Sequence, residues 1–228
     1  MRLPSLLCLV ALLGADACGG SDAAPDAAPP DAAEPVTLSG TVIQLSATRS
    51  PVANATVSLR GAEPAMTTTT DAAGGFTLSV PPERATLVVD ADTFTGVVIP
   101  LEVPTEGRSG VEIGLIASTA LTTTMSLVGL TQDAAKGALI VEFAAPIAGG
   151  ETATIDATSS AAFHFEGGIP TTGNMLASNS TGSVVFANVV PGEATVEVTP
   201  TPCVLVEGIA TVPVDVGRIT RLRADCNE

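Results

Sequence analysis

The chain has 228 residues, a formal charge of −15, and neither tryptophan nor tyrosine. Its nine basic residues are outnumbered by 24 acidic ones, spread along the chain. That leaves no basic patch of the kind nucleic acid or an anionic membrane surface requires, so neither is an expected partner.

The first elements form a leader. Met1-Arg2 precedes an apolar run from Leu3 to Leu13 broken only by Pro4 and Ser5, and small residues follow up to Cys18. One basic residue, a short apolar stretch and small residues before a cleavage point are the parts of a secretory signal. The run is shorter than the roughly 20 apolar residues that span a bilayer. Two processing outcomes fit. Ala15 and Ala17 make an ordinary small-x-small site. Alternatively, Cys18 directly after the apolar run, with Gly19-Gly20-Ser21 behind it, resembles the lipidated first residue of a bacterial lipoprotein. Ala15 and Asp16 stand where the usual lipobox has leucine and a small uncharged residue. Residues 19–35, GGSDAAPDAAPPDAAEP, hold nothing large and apolar to bury, so they are expected to stay extended as a tether. A polyproline-like path would let them reach about 50 Å. A signal peptide is thus expected at 1–17, and a lipidated cysteine with a disordered tether at 18–35.

Beyond the tether, Val, Thr, Ala, Gly and Pro dominate. No stretch carries a sustained helical period with caps, and the expected class is all-β. In the first half, Ala55, Val57 and Leu59 alternate with Thr56, Ser58 and Arg60. The same alternation recurs at Phe76-Leu78-Val80, Leu87-Val89-Ala91, Val97-Ile99-Leu101-Val103 and Val111-Ile113-Leu115. Each predicts a period-two strand with one buried face. With Val36 to Val42 and a short strand near Met66, about seven strands result, enough for a two-sheet sandwich.

The second half repeats the first. Gly40-Thr41-Val42, Ala55-Thr56-Val57, Gly74 to Leu78, Pro82 to Leu87 and Gly107-Arg108 find counterparts in Gly137-Ala138-Leu139, Ala153-Thr154-Ile155, Gly182 to Phe186, Pro191 to Val196 and Gly217-Arg218. Order and approximate spacing are shared, with about ten extra residues between Ala157 and Gly182 in the second copy. Two tandem domains of one fold are expected, at 36–117 and 120–228.

The stretch Pro51 to Leu59 followed by Thr69-Thr70-Asp71-Ala72-Ala73-Gly74-Gly75-Phe76-Thr77-Leu78 resembles the carboxypeptidase regulatory-like module. That resemblance implies a transthyretin-like β-sandwich in an accessory role, without peptidase activity. Asp71 and the glycines make a tight turn that delivers Phe76 into the core.

Little in the chain points to catalysis. His164 is the only histidine and no Gly-x-Ser-x-Gly elbow occurs, so the pairing of nucleophile and base that hydrolysis needs is missing and no enzyme is expected. Between Phe163 and Phe165, His164 points away from both rings in a strand and reads as solvated or incidental. Asp90 and Asp92 share a strand face, the closest approach to a calcium site, and no metal or other cofactor is expected. Lys136, the single lysine, leaves the first domain without the partner that an intramolecular Lys–Asn bond requires. Cys8 leaves with the leader. Cys203 and Cys226 are expected to pair in an oxidising envelope. Phe76, Phe143 and Phe186 fall at inward positions and read as core. Phe163 and Phe165, in the Ser/Thr/Asn/Gly-rich stretch 158–181, are the candidate glycan platform, against a plain surface loop.

The sequence therefore predicts an exported protein of the periplasm or cell surface, held to a bacterial membrane through a lipid on Cys18. Its expected role is a non-enzymatic structural or protein-interaction module with an unknown envelope partner. The alternative is a carbohydrate-binding accessory module acting on a surface glycan.

Overall fold

A computed structural model describes residues 34–227. The leader, Cys18 and most of the tether lie outside them. The strands in the first half are β1 (Val36–Gln44), β2 (Thr56–Leu59), β3 (Thr67–Thr69), β4 (Gly75–Val80), β5 (Glu83–Asp90), β6 (Phe94–Val103) and β7 (Arg108–Ala117). Five overlap the alternating segments read from the sequence, β1 overlaps the stretch from Val36 to Val42, and β3 begins one residue after Met66. Sheet β6-β5-β2-β3 faces sheet β4-β1-β7, and β7 returns to β6 at Phe94–Ala117 and Thr95–Ile116. Leu38, Val57, Leu87 and Ile113 are fully buried between them.

The Thr-Thr-Asp turn has the chemistry its residues promise. Asp71 Oδ1 accepts from the N–H groups of Ala73 and Gly75, both at 2.8 Å, and Gly74 takes φ +76°. Beside it Thr70 is buried; its hydroxyl donates to Val52 O at 2.7 Å and accepts from Ala55 N–H at 2.9 Å. Phe76 enters the core one residue after the turn.

A helix follows that the sequence reading did not predict: α1 (Ser118–Leu127). It has no side-chain cap and its exposed face is threonine-rich, so the usual end signals are missing. Thr122 and Thr123 donate back to the carbonyls of Ser118 and Thr119 instead. Leu121 and Met125, one turn apart, are buried and hold the helix in place.

The second half supplies β8 (Gly137–Phe143), β9 (Thr152–Ile155), β10 (Ala161–Glu166), β11 (Ile169–Thr172), β12 (Ser180–Val189), β13 (Gly192–Thr199), β14 (Val204–Leu205), β15 (Thr211–Val214) and β16 (Arg218–Asp225). The small sheet β15-β13-β9 covers one face of the larger sheet β11-β10-β12-β8-β16. Leu139, Val141 and Phe143 of β8 enter that core. The intervening Ala138 and Ile140 join the core of the first half, together with Val185 and Ala187 of β12 and Leu121 and Met125 of α1. The larger sheet is thus covered on both faces, and β8 is buried almost throughout.

The expected division at 117–120 is not a break in the hydrogen bonding. β16 pairs in parallel with β8 from Ile219 to Ala224 on one side and with β6 from Arg218 to Thr220 on the other. One continuous sheet therefore runs β11-β10-β12-β8-β16-β6-β5-β2-β3 through both halves.

Candidate functional site

Among the residues singled out in the sequence, the cysteines come together. Cys203 and Cys226 form a disulfide that closes a 23-residue separation and fixes the end of β16. Cross-linking a loop of this length is worth about 3 kcal/mol.

The aromatic candidates are not a surface platform. Phe163 is only 1% exposed and packs edge-on to Phe165, ring centroids 5.9 Å apart. Both rings lie in the cluster that holds Leu121 and Met125 of α1. Within 158–181, the candidate binding face or plain surface loop, residues 161–172 form the hairpin β10–β11, and the face carrying these rings is covered. His164 points to the opposite side from the rings, as expected, yet it is buried rather than solvated. Its Nε2 lies 3.0 Å from Glu166 Oε1 and its Nδ1 3.3 Å from Gly173 O.

Asp90 does not join Asp92 in a cation site. Arg218 Nε and Nη2 donate to its two oxygens at 3.1 and 2.9 Å. No cluster of three or more metal-type ligands exists among the described residues. Lys136 Nζ lies 4.0 Å from Asp133 Oδ2.

What the sequence did not reveal is how the basic residues are used. Four arginines cross between the halves. Arg60 Nη2 donates to Asp215 Oδ1 at 3.1 Å, and Arg218 holds Asp90 as above. Arg221 Nη1 reaches Gly114 O at 2.7 Å while its Nη2 binds Glu142. Arg108 grips both oxygens of Glu207, at 2.7 and 2.8 Å, and its Nη1 also donates to Glu102 O. Glu207 accepts a further 2.9 Å bond from Glu102 N–H. Burial pushes the Glu207 carboxyl up. The hydrogen bonds from Arg108 and Glu102 N–H, with the charges of Arg108 and Arg223, outweigh that and hold it below its ordinary value. The Arg108 guanidinium is correspondingly raised, first by its hydrogen bond to Glu207.

The Arg108 and Arg221 contacts wall a cleft of about 440 Å³ where β6, β7 and β16 diverge. Arg49, Arg108, Arg221 and Arg223 line it, with Glu112, Glu142 and Glu207 between them and Ile99, Val111 and Ile209 on its apolar surface. Four of the nine basic residues of a strongly acidic chain thus converge on one place. The signal was present in the sequence as Arg-x-Arg at 221 and 223, but the partners of Arg221, Gly114 and Glu142, lie 107 and 79 residues away.

Comparison with known proteins adds a family for the first half. Residues 37–116 match the family model of the carboxypeptidase regulatory-like domain. No curated protein matches the chain. Among solved structures, a cohesin–X-dockerin complex from Acetivibrio cellulolyticus is similar at 22% identity and a TM-score of 0.31, over 44% of this chain and 65% of that one. The TIE protein of Bacillus anthracis aligns at 14% identity and a TM-score of 0.26, over 83% of this chain and 33% of its own. The minor pilin GBS52 of Streptococcus agalactiae aligns at 9% identity and a TM-score of 0.25, over 84% and 96%. The chain therefore spans less than two thirds of the first two, and likenesses this low carry nothing about partner or activity.

Proposed function

We propose that the protein is an exported, envelope-anchored, non-enzymatic module for structural support or protein interaction. Its parts would be a signal peptide at 1–17, a lipidated Cys18 with its tether to residue 35, and two copies of one sandwich at 36–117 and 120–228. The observation that carries the reading is the seam. Arg60, Arg108, Arg218 and Arg221 bind across it, and β16 hydrogen-bonds into both halves. Scarce cations tie the two halves to each other, which suits a part that holds position. The regulatory-like domain at 37–116 agrees with an accessory role. No helix among the described residues is long and apolar enough to cross a membrane. With Phe163 buried, the carbohydrate reading loses its aromatic platform.

The test combines anchoring with partners. Intact mass spectrometry of the mature chain after membrane fractionation should show a diacylglycerol-sized increment on Cys18. Crosslinking in intact cells should then capture a discrete envelope protein, and Cys18→Ser should reduce that capture. A free N-terminus in the soluble fraction would remove the anchor. Crosslinking that yields no protein would remove the interaction role.

A further inference from the structure

Where the continuous sheet divides, β7 is left with one open edge. β1 pairs with β7 from Arg108 to Leu115, and β6 meets β7 only at Ile116 and Ala117. In a parallel ladder alternate residues direct their amide groups to opposite neighbours. Leu45 N–H donates to Leu115 O at 2.8 Å, so Leu115 and Ile113 serve β1, while Gly114 and Glu112 face the cleft. The Arg221 bond to Gly114 O, made from across the cleft, agrees with that parity and closes the edge at this end. By the same parity Glu112 N–H and C=O point into the cleft, where no strand of the described residues is in register with them. Ser109, Gly110 and Glu112 are exposed along the same edge.

We propose that this edge of β7 is a docking site for an extended acidic segment of a partner protein, added as a strand, with its carboxylates against Arg49 and Arg223. The inference rests on the interaction-module reading above and names the site. Charge complementarity selects the occupant. Arg108 and Arg221 are committed to the seam, but Arg223 is exposed and makes no ion pair among the described residues. Arg49 pairs with Glu112 with both side chains more than half exposed (57% and 52%). An exposed pair of that kind is worth about 0–1 kcal/mol, so exchanging Glu112 for a ligand carboxylate costs little. The partly buried side chains of Ile99 and Val111 accept the alternate side chains of such a strand. A polyanionic sugar would satisfy the arginines but has no backbone to match the open amide groups, so a peptide is favoured.

The mature chain from residue 18 is titrated with a fluorescent acetylated peptide alternating glutamate and valine, and with its lysine-for-glutamate counterpart. Saturable binding of the acidic peptide alone is expected, with slowed hydrogen exchange at Glu112. The double change Arg49→Glu with Arg223→Glu should weaken it at least about tenfold. Glu112→Pro should weaken it comparably, because it removes a cleft-facing N–H without removing a bond to β1. All three positions are exposed, and thermal melts of both variants report their folding directly. Binding that both folded variants retain overturns the proposal. Loss with the charge reversal but not with Glu112→Pro, or displacement by polygalacturonate without protection of Glu112, makes the cleft a simple anion site and overturns strand addition. Protection at β11 instead of β7 overturns the location. Absence of peptide binding alongside a crosslinked envelope partner overturns the cleft and leaves the module reading standing.

Discussion

Gly40 shows how a single residue sets the distance between two strands. It lies at the shift in register between β1 and β7, and a Cβ added there would sit 1.9 Å from Val111 O and 3.0 Å from Phe76 Cε1. The nearer atom is backbone, so no rotamer change relieves the clash; β7 itself must move. Gly40→Ala is expected to cost at least about 2 kcal/mol, while Thr41→Ala, next to it and exposed, should stay within about 0.5 kcal/mol. Urea unfolding with unchanged slopes measures both. Equal midpoints for the two variants would mean that β1 and β7 are not held as close as described. Gly40 was visible in the sequence as the first landmark of the repeat, and its position beside Phe76 gives that landmark a physical cause. Phe163 is the opposite case. Its alternation with His164 correctly put the two on opposite sides of a strand, but both sides are covered, a nonlocal fact that periodicity does not carry.

At the scale of elements, the pair Arg108–Glu207 decides how the loop between β14 and β15 meets the first half. The folded carboxyl of Glu207 lies below its ordinary value of 4.5. A group with a depressed folded value contributes its stabilisation fully above the unfolded value and loses it as pH falls through the folded one. Stability should therefore decline as pH drops from about 4.5 into the lower range, and Glu207→Gln should flatten that decline while lowering stability at neutral pH. Urea midpoints from pH 7 to pH 3 check this; identical pH profiles for the two proteins would show that Glu207 is not held by Arg108 as described. Most strands of the first half were legible because they alternate cleanly and the turns carry Asp and Gly in the needed places, as at Asp71–Gly75; β3, Thr67 to Thr69, has no alternation of its own. The helix was not, since Ala117 offers no cap and Thr122 to Thr124 resist a helical reading. The arginine cleft was also hidden. Arg108 and Glu207 are 99 residues apart, and no local pattern links them.

For the whole molecule, the sequence repeat and the hydrogen-bond network pull toward different expectations of how the chain unfolds. Two sandwiches joined by a linker would melt separately. Here β16 belongs to both, and Ile140, Val185 and Ile219 from the second half lie in the same core as Leu38, Leu87 and Met125. Removing the second half would expose that core along β6 and under α1, so neither half has its stability alone. The described residues should therefore unfold in one transition, with calorimetric and van't Hoff enthalpies in agreement. Differential scanning calorimetry of the oxidised protein is the direct measurement. Two resolved transitions would show the seam to be weaker than the sandwiches it joins. Arg218→Ala sharpens the test, because it removes the guanidinium that ties the start of β16 to Asp90. If the seam is integral, this variant lowers one common melting temperature. If the seam is an adhesive between independent folds, it splits the transition in two and leaves the melting of residues 36–117 where it was.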